Sequence, residues 1–319
     1  MNIIVIGGAG FIGSFFSTQL LQQGHHVTIF DNFTSGTQDH ISSIISHDKL
    51  NLVESDLKDL DAITNAMRGQ DLVIHTAANP DIAKAITEPT IDFWEGTYLT
   101  NNLLEAMRTT GTKKIVYTSG SGVYGEYEGV PFLEDHGPNI PISTYGASKL
   151  GCEALIQSYV HMFGFTALIF RFANVVGPKQ THGVGYDFLR KLKSDPTKLE
   201  VLGDGSQDKS YIHVSDIFDA FVVASRHMAE ERLQIYNVAS NDTITVKDIA
   251  LLAIETMGID RNAVDIQFGP GPRGWAGDVP VIDLNCTRLK KIGWSSEISS
   301  RRAILMSLQS MCEELQNSQ

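Results

Sequence analysis

Eleven residues close to the amino terminus, Ile3-Ile4-Val5-Ile6-Gly7-Gly8-Ala9-Gly10-Phe11-Ile12-Gly13, constrain this chain more tightly than any other stretch. Four consecutive aliphatic residues make a buried strand, glycines at 7, 10 and 13 suit a tight turn, and residues 11–23 carry apolar side chains at helical spacing. Strand, glycine turn and helix in that order suit a dinucleotide. Glycine lets the backbone approach a pyrophosphate with no Cβ in the way, and a helix start offers unpaired N–H groups and the positive end of its dipole. Gly7, Gly10 and Gly13, with Phe11 and Ile12 opening the helix, are the first candidate cofactor contacts.

The next apolar run, residues 26–30, ends in Asp31. An acid about 20 residues past the glycines, at the end of a second strand, is placed to accept hydrogen bonds from the adenosine ribose and to repel a 2′-phosphate. It favours NAD over NADP. Asn32 beside it joins the ribose-side candidates, a plain turn at Asp31-Asn32 being the structural alternative.

Further along, short apolar runs at 51–54, 72–75, 114–117 and 166–171 alternate with helical segments, among them 90–110 and 143–163. Regular alternation implies a doubly wound parallel sheet of Rossmann type, with ligands gathering at the carboxyl ends of its strands. Asp56-Leu57 follows the third strand, and His75-Thr76-Ala77-Ala78 ends the fourth. Small residues at Ala77 and Ala78 let a cofactor pass closely, tight helix packing being the alternative. From Asn174 onward Gly and Pro become frequent and the alternation stops. The expected division is a cofactor-binding α/β domain at 1–173 and a smaller mixed α/β substrate lobe at 174–319, some of whose elements return to the first domain. Loop 269–275 of that lobe is expected to reach over the substrate.

A chain of 319 residues with 42% apolar and 19% charged residues buries a sizeable core. Its formal net charge of −12 argues against nonspecific nucleic-acid binding. Cys152, Cys286 and Cys312 lie far apart in no metal-ligand pattern, so no metal is expected. The first apolar run is short and broken by glycine, and no apolar span reaches the roughly 18 residues a membrane helix needs. The expectation is a cytoplasmic protein with reduced thiols and no membrane partner.

Tyr145-Gly146-Ala147-Ser148-Lys149 opens a helical segment, so Tyr145 and Lys149 share a face one turn apart. An ammonium beside a phenol stabilises the phenolate, which lets Tyr145 take a hydroxyl proton. Standing alone, the pair would read as surface residues. Downstream of the glycine turn and Asp31 it reads as a catalytic pair.

Together these residues make the chain resemble the extended short-chain dehydrogenase/reductase family, and within it the nucleotide-sugar epimerases and dehydratases. The likeness extends through Val123-Tyr124-Gly125, the run 171–177, Gly203-Asp204-Gly205, the run 211–216 and Gly277-Asp278-Val279. It implies a bound NAD, a nucleotide-diphosphate sugar as substrate and a homodimer through the outer faces of helices 91–107 and 143–163. The implied reaction is C4 epimerisation of a UDP-glucose/UDP-galactose-type sugar through a keto-sugar: Tyr145 takes the 4-hydroxyl proton, and hydride leaves C4 and returns to the opposite face. A glucuronate or N-acetylhexosamine sugar, a dehydrogenase or reductase, and a non-catalytic NAD-sensing protein are the alternatives.

Several positions depart from the family pattern. The Ser or Thr that normally bonds the reacting hydroxyl is Gly120 here, leaving Ser119 or Ser121, one step either side. Ser119 is favoured. Where the family's dehydratases carry Asp-Glu before Val-Tyr-Gly, this chain has Ser121-Gly122, which removes the acid and base of elimination. The usual Asn of the helix before Thr100 is Gly96, and the two diphosphate-binding Arg positions are Lys209 and Trp275. Arg273 is the expected stand-in. Asn174, Lys209, Arg273 and Trp275, with Ser121 and Tyr145, make up the candidate substrate contacts.

Overall fold

Aliphatic and β-branched runs form seven strands: β1 (Asn2–Ile6), β2 (His26–Asp31), β3 (Leu50–Glu54), β4 (Leu72–His75), β5 (Lys114–Gly120), β6 (Thr166–Phe172) and β7 (Leu233–Val238). In the computed structural model, which describes residues 1–126 and 131–317, they make one parallel sheet in the order β7-β6-β5-β4-β1-β2-β3. Ile6 at the end of β1 is in register with Phe30 of β2 on one side and His75 of β4 on the other. Strand order reverses at β1, so the crevice outside the carboxyl ends of β1 and β4 is where this topology puts a ligand.

Four helices pack on this sheet and carry or support the site residues: α1 (Phe11–Gln22), α2 (Leu60–Met67), α3 (Leu99–Thr110) and α4 (Thr144–Phe163). Asp59 caps α2 by accepting from Ala62 N at 2.9 Å, and α3 stops at Gly111, whose φ of 83° is left-handed. One core cluster joins Ile4, Ile6, Val73 and Ile115 of the sheet to Leu103, Leu104 and Met107 of α3 and to Ile156 and Val160 of α4. Truncating any of these to Ala would cost roughly 2–5 kcal/mol. The segment expected as one helix over 90–110 is instead a π-helical turn, Phe93–Tyr98, followed by α3.

Two units divide the chain. The first contains Met1–Val123, Thr144–Arg171 and Val222–Tyr236; the second contains the described residues of Tyr124–Ser143, Phe172–Phe221 and Asn237–Gln319. The division expected at 173/174 therefore differs from these units over 124–143. The described residues of 124–143 belong to the second unit because their partners lie there: Phe132 N donates to Asp283 O at 2.9 Å, Asn285 N to Phe132 O at 2.9 Å, and Tyr124 Oη to Asn237 Oδ1 at 2.7 Å. Residues 222–236 belong to the first and bring most of β7 to its sheet.

The second unit is mixed α/β. Helices Val184–Ser194, Val246–Thr256 and Ser300–Asn317 bury Phe188, Leu189, Ile249, Ala253, Ile304 and Leu308 together with Leu199 and Val201. Asp208–Lys209 is a short strand between Ile244–Thr245, antiparallel to it, and Val281–Ile282, parallel to it. Among the described residues no helix is long and apolar enough to cross a membrane.

Candidate active site

Gly7 leaves β1 at φ 76°, and its N–H donates to Phe30 O at 2.9 Å, which starts the turn. A Cβ at Gly13 would lie 2.1 Å from Gly7 O, so the helix can come this close to the strand only with glycine there. At Gly10 a Cβ would meet Gly7 O at 3.2 Å and nothing else within 4 Å, so it would project into the space in front of the turn. Gly10 caps α1 without a side-chain bond, and no acid occupies the first turn. Phe11 and Ile12 are half-buried at its start. The result is a backbone cradle with positive dipole, built for an anion.

Asp31, at the end of β2, is buried, and both its oxygens are held by backbone: Oδ2 accepts from Ala9 N and Oδ1 from Phe33 N, each at 2.8 Å. The first bond ties the carboxylate to the glycine turn. Each oxygen keeps a lone pair for a hydroxyl donor. Asn32 Nδ2 donates to Asp56 Oδ2 at 2.8 Å, and Lys58 N donates to Asp56 Oδ1 at 2.8 Å. Leu57 is buried, its carbonyl accepting from Asn102 Nδ2 at 3.1 Å. Ala77, two residues past β4, donates through its N–H to Ile6 O at 3.1 Å and lies so close to Gly7 that a Cβ on Gly7 would stand 2.8 Å from Ala77 N. Half-buried Ala78 follows. The cofactor residues named from sequence thus cluster at the carboxyl ends of β1 to β4.

Tyr145 lies in the first turn of α4 and is half-buried; Lys149, one turn on, is buried. Lys149 Nζ donates to Thr118 O at 2.7 Å and stands 5.6 Å from the centroid of the Tyr145 ring. Behind it lies His75, fully buried and bonded through Nε2 to Thr100 Oγ1 at 3.0 Å, while Thr100 Oγ1 donates to Cys152 Sγ at 3.2 Å. Thr100 has one proton, and giving it to Cys152 makes His75 Nε2 the donor. Burial, helped by the Lys149 charge, pushes the His75 imidazole down to about 3, so it is neutral at physiological pH.

The expectation that Ser119 takes over from Gly120 is corrected by geometry. Ser119 is buried and its Oγ donates to Glu153 Oε1 at 2.6 Å; Glu153 is itself paired with Arg171, Nη2 to Oε2 at 2.7 Å. Its hydroxyl is committed to a buried ion pair. Ser121 opens the one-turn helix Ser121–Val123, is half-buried, and its hydroxyl bonds to no described residue. Of the two serines it is the one whose hydroxyl is not committed to a described partner. Sequence reasoning missed Glu153 and Arg171; the signal available was that Glu153 follows Lys149 by one further turn of the same helix.

In the second unit the expected diphosphate cations already have partners. Lys209 Nζ pairs with Asp278 Oδ1 at 2.5 Å, both largely buried, and Gly274 N donates to Asp278 Oδ2 at 3.0 Å. Arg273 donates from Nη1 to Asp278 O at 2.6 Å and from Nη2 to Glu126 Oε1 at 2.5 Å. Asn174 Nδ2 donates to Ser210 O at 3.2 Å. Trp275 is half-buried and packs so near Gly277 that a Cβ there would lie 2.9 Å from its ring. Lys209 and Arg273, the cations expected at the diphosphate, are thus each paired with an acid or carbonyl of the second unit.

Residues 3–239 match the NAD dependent epimerase/dehydratase family. The chain belongs to that family. A putative UDP-glucose 4-epimerase of Methanocaldococcus jannaschii is 32% identical over 309 residues, covering 95% of each chain. A crystal structure of a UDP-galactose 4-epimerase superposes with a TM-score of 0.88 at 36% identity, covering 99% of this chain and all of the other. The UDP-glucose 4-epimerase of Thermus thermophilus, solved with NAD, gives 0.84 at 28% identity over 98% of this chain and 99% of that one.

NAD is the family's cofactor, and the residues present fit it. The glycine turn leaves open the space that a Cβ at Gly10 would fill, the α1 dipole faces that space, and the buried Asp31 retains acceptor capacity for an unphosphorylated ribose.

Proposed function

We propose that this protein interconverts C4 epimers of a nucleotide-diphosphate sugar of the UDP-glucose/UDP-galactose type. The observation that carries the reading is the buried Lys149 ammonium held by Thr118 O beside Tyr145, in a chain whose Ser121-Gly122 lacks the acid–base pair of the dehydratases. NAD, when bound, supplies reversible acceptance of a hydride. Tyr145 takes the proton of the sugar 4-hydroxyl and later returns it. Lys149 stabilises the phenolate in a site where burial weakens screening, and the carbonyl of Thr118 fixes its position. Ser121 bonds the reacting oxygen. Neutral His75 behind Lys149 adds no competing charge.

Asn174, Lys209, Arg273 and Trp275 are the residues we assign to the nucleotide diphosphate. Arg273 and Glu126 are both more than a third exposed, and such pairs contribute only about 0–1 kcal/mol, so Arg273 exchanges Glu126 for a phosphate at little cost. Lys209, largely buried with Asp278, keeps that partner and adds its charge to the diphosphate side from within the pair. Incubation with UDP-glucose, UDP-galactose and their N-acetyl and glucuronate counterparts, with product stereochemistry read by NMR, tests the reading. Inversion at C4 of the neutral hexoses without stoichiometric NADH is expected; turnover of the other sugars alone would reassign the substrate, and equimolar NADH would make the protein a dehydrogenase.

A further inference from the structure

Asp92 is a buried carboxylate, 2% exposed, that none of the roles above uses. Its Oδ1 accepts from Asn79 Nδ2 at 2.9 Å, its Oδ2 from Thr144 Oγ1 at 2.7 Å, and its backbone carbonyl from Ser148 Oγ at 2.6 Å. Each partner neighbours a site residue. Thr144 directly precedes Tyr145, Ser148 directly precedes Lys149, and Asn79 directly follows Ala77-Ala78. Asn79 is buried and further fixed, its Nδ2 donating to Asp81 O at 2.9 Å and its Oδ1 accepting from Asp81 N at 3.1 Å. One residue thus joins the loop after β4 to both ends of the Tyr145–Lys149 turn.

The local backbone makes room for this arrangement. Asp92 immediately precedes the π-helical turn Phe93–Tyr98, and a Cβ at Gly96 within that turn would stand 2.3 Å from Ser148 Oγ. The hydroxyl of Thr97, 3.0 Å from Ser148 Oγ, completes the contact. The glycine that departs from the family's Asn is therefore what lets Ser148 reach the Asp92 carbonyl. A buried carboxylate whose two donors are neutral strongly resists losing either, and its charge lies beside the first turn of α4, where the helix dipole favours an anion.

We propose that Asp92 is a positioning residue that sets the separation between the Ala77-Ala78 cofactor loop and the Tyr145/Lys149 pair. The inference rests on the epimerase reading for its kinetic readout. Displacing a reacting group by about 1 Å costs on the order of 100-fold in rate, so a loosened brace appears in kcat before it appears in binding.

The test uses NAD-loaded full-length protein and the variants Asp92→Asn, Thr144→Val and Thr144→Ser. Thr144 is exposed, so Thr144→Val removes the bond without opening the core. With UDP-galactose as substrate, Asp92→Asn and Thr144→Val are expected to lose at least about tenfold in kcat. KM and bound NAD should change little, and Thr144→Ser, which keeps the hydroxyl, should recover most of the loss. Unchanged kcat in the first two variants, or a loss that merely tracks loss of NAD, overturns the proposal. Should the wild-type protein turn over no nucleotide sugar, the epimerase reading fails, and amide hydrogen exchange over residues 145–149 decides the brace by itself. Faster exchange in Thr144→Val supports it, and unchanged exchange refutes it.

Discussion

The Ser119 hydroxyl donates to Glu153 Oε1 at 2.6 Å, inside an ion pair that Glu153 makes with Arg171. Ser119→Ala therefore removes a bond to a buried charge and should cost about 1–3 kcal/mol of stability with kcat nearly unchanged. Ser121→Ala should do the reverse, lowering kcat by a factor equivalent to about 2–4 kcal/mol with little change in melting temperature. Thermal melts and steady-state kinetics on both variants check the ranking, and the opposite pattern would return the catalytic role to Ser119.

We expect Asp31 to set cofactor choice. Asp31→Arg is expected to shift preference from NAD toward NADP, because it replaces a ribose acceptor and a charge that repels a 2′-phosphate with a cation. The same change removes the Asp31 bond to Ala9 N, so weaker retention of either nucleotide should accompany the shift. Analysis of nucleotide released on denaturation, together with titration of both cofactors, reads the two effects separately.

These two cases show what the sequence made legible and what it did not. Gly7, Gly10, Gly13, Asp31 and the Tyr145/Lys149 spacing act through local geometry, where a turn, a strand end or one helical turn fixes the partner. Ser119 against Ser121 depended on Glu153, which lies 34 residues away. That Arg273, the expected diphosphate contact, is already paired was not legible either, because its partner Glu126 is 147 residues distant. The place of the described residues of 124–143 was hidden for the same reason, since Tyr124 and Phe132 bond to residues beyond 236. Nothing in the residue spacing marks the π-helical turn at Phe93–Tyr98, whose glycine packs against Ser148, more than 50 residues on.

His75 predicts an acid limit to stability. Its imidazole is held at about 3 in the folded chain against an ordinary 6.5, so the unfolded chain binds the proton first as pH falls. Its contribution is complete above pH 6.5 and is lost progressively between about 6.5 and 3, by up to about 1.4 kcal/mol per pH unit. Melting temperature should fall over that window, and it should fall less steeply in His75→Asn, which cannot take up the proton. Parallel slopes for the two proteins would contradict this.

The outer faces of the segments 91–107 and 143–163 leave Phe93, Trp94, Met162 and Phe163 exposed. We expect these faces to pair two copies of the chain. Light scattering should give twice the 35.0 kDa chain mass, and Trp94→Glu combined with Met162→Glu should shift it toward the monomer. A dilution-independent monomer in the unaltered protein would refute the dimer.

The fate of the hydrogen at C4 separates epimerisation from net oxidation in one measurement. UDP-galactose deuterated at C4 is incubated with the protein in ordinary water, and the product is examined by NMR and mass spectrometry. UDP-glucose with the deuterium retained at C4 is expected, with no accumulation of NADH and with loss of the conversion in Tyr145→Phe. Exchange of the label with solvent, or a keto product formed with equimolar NADH, would contradict C4 epimerisation through a returned hydride.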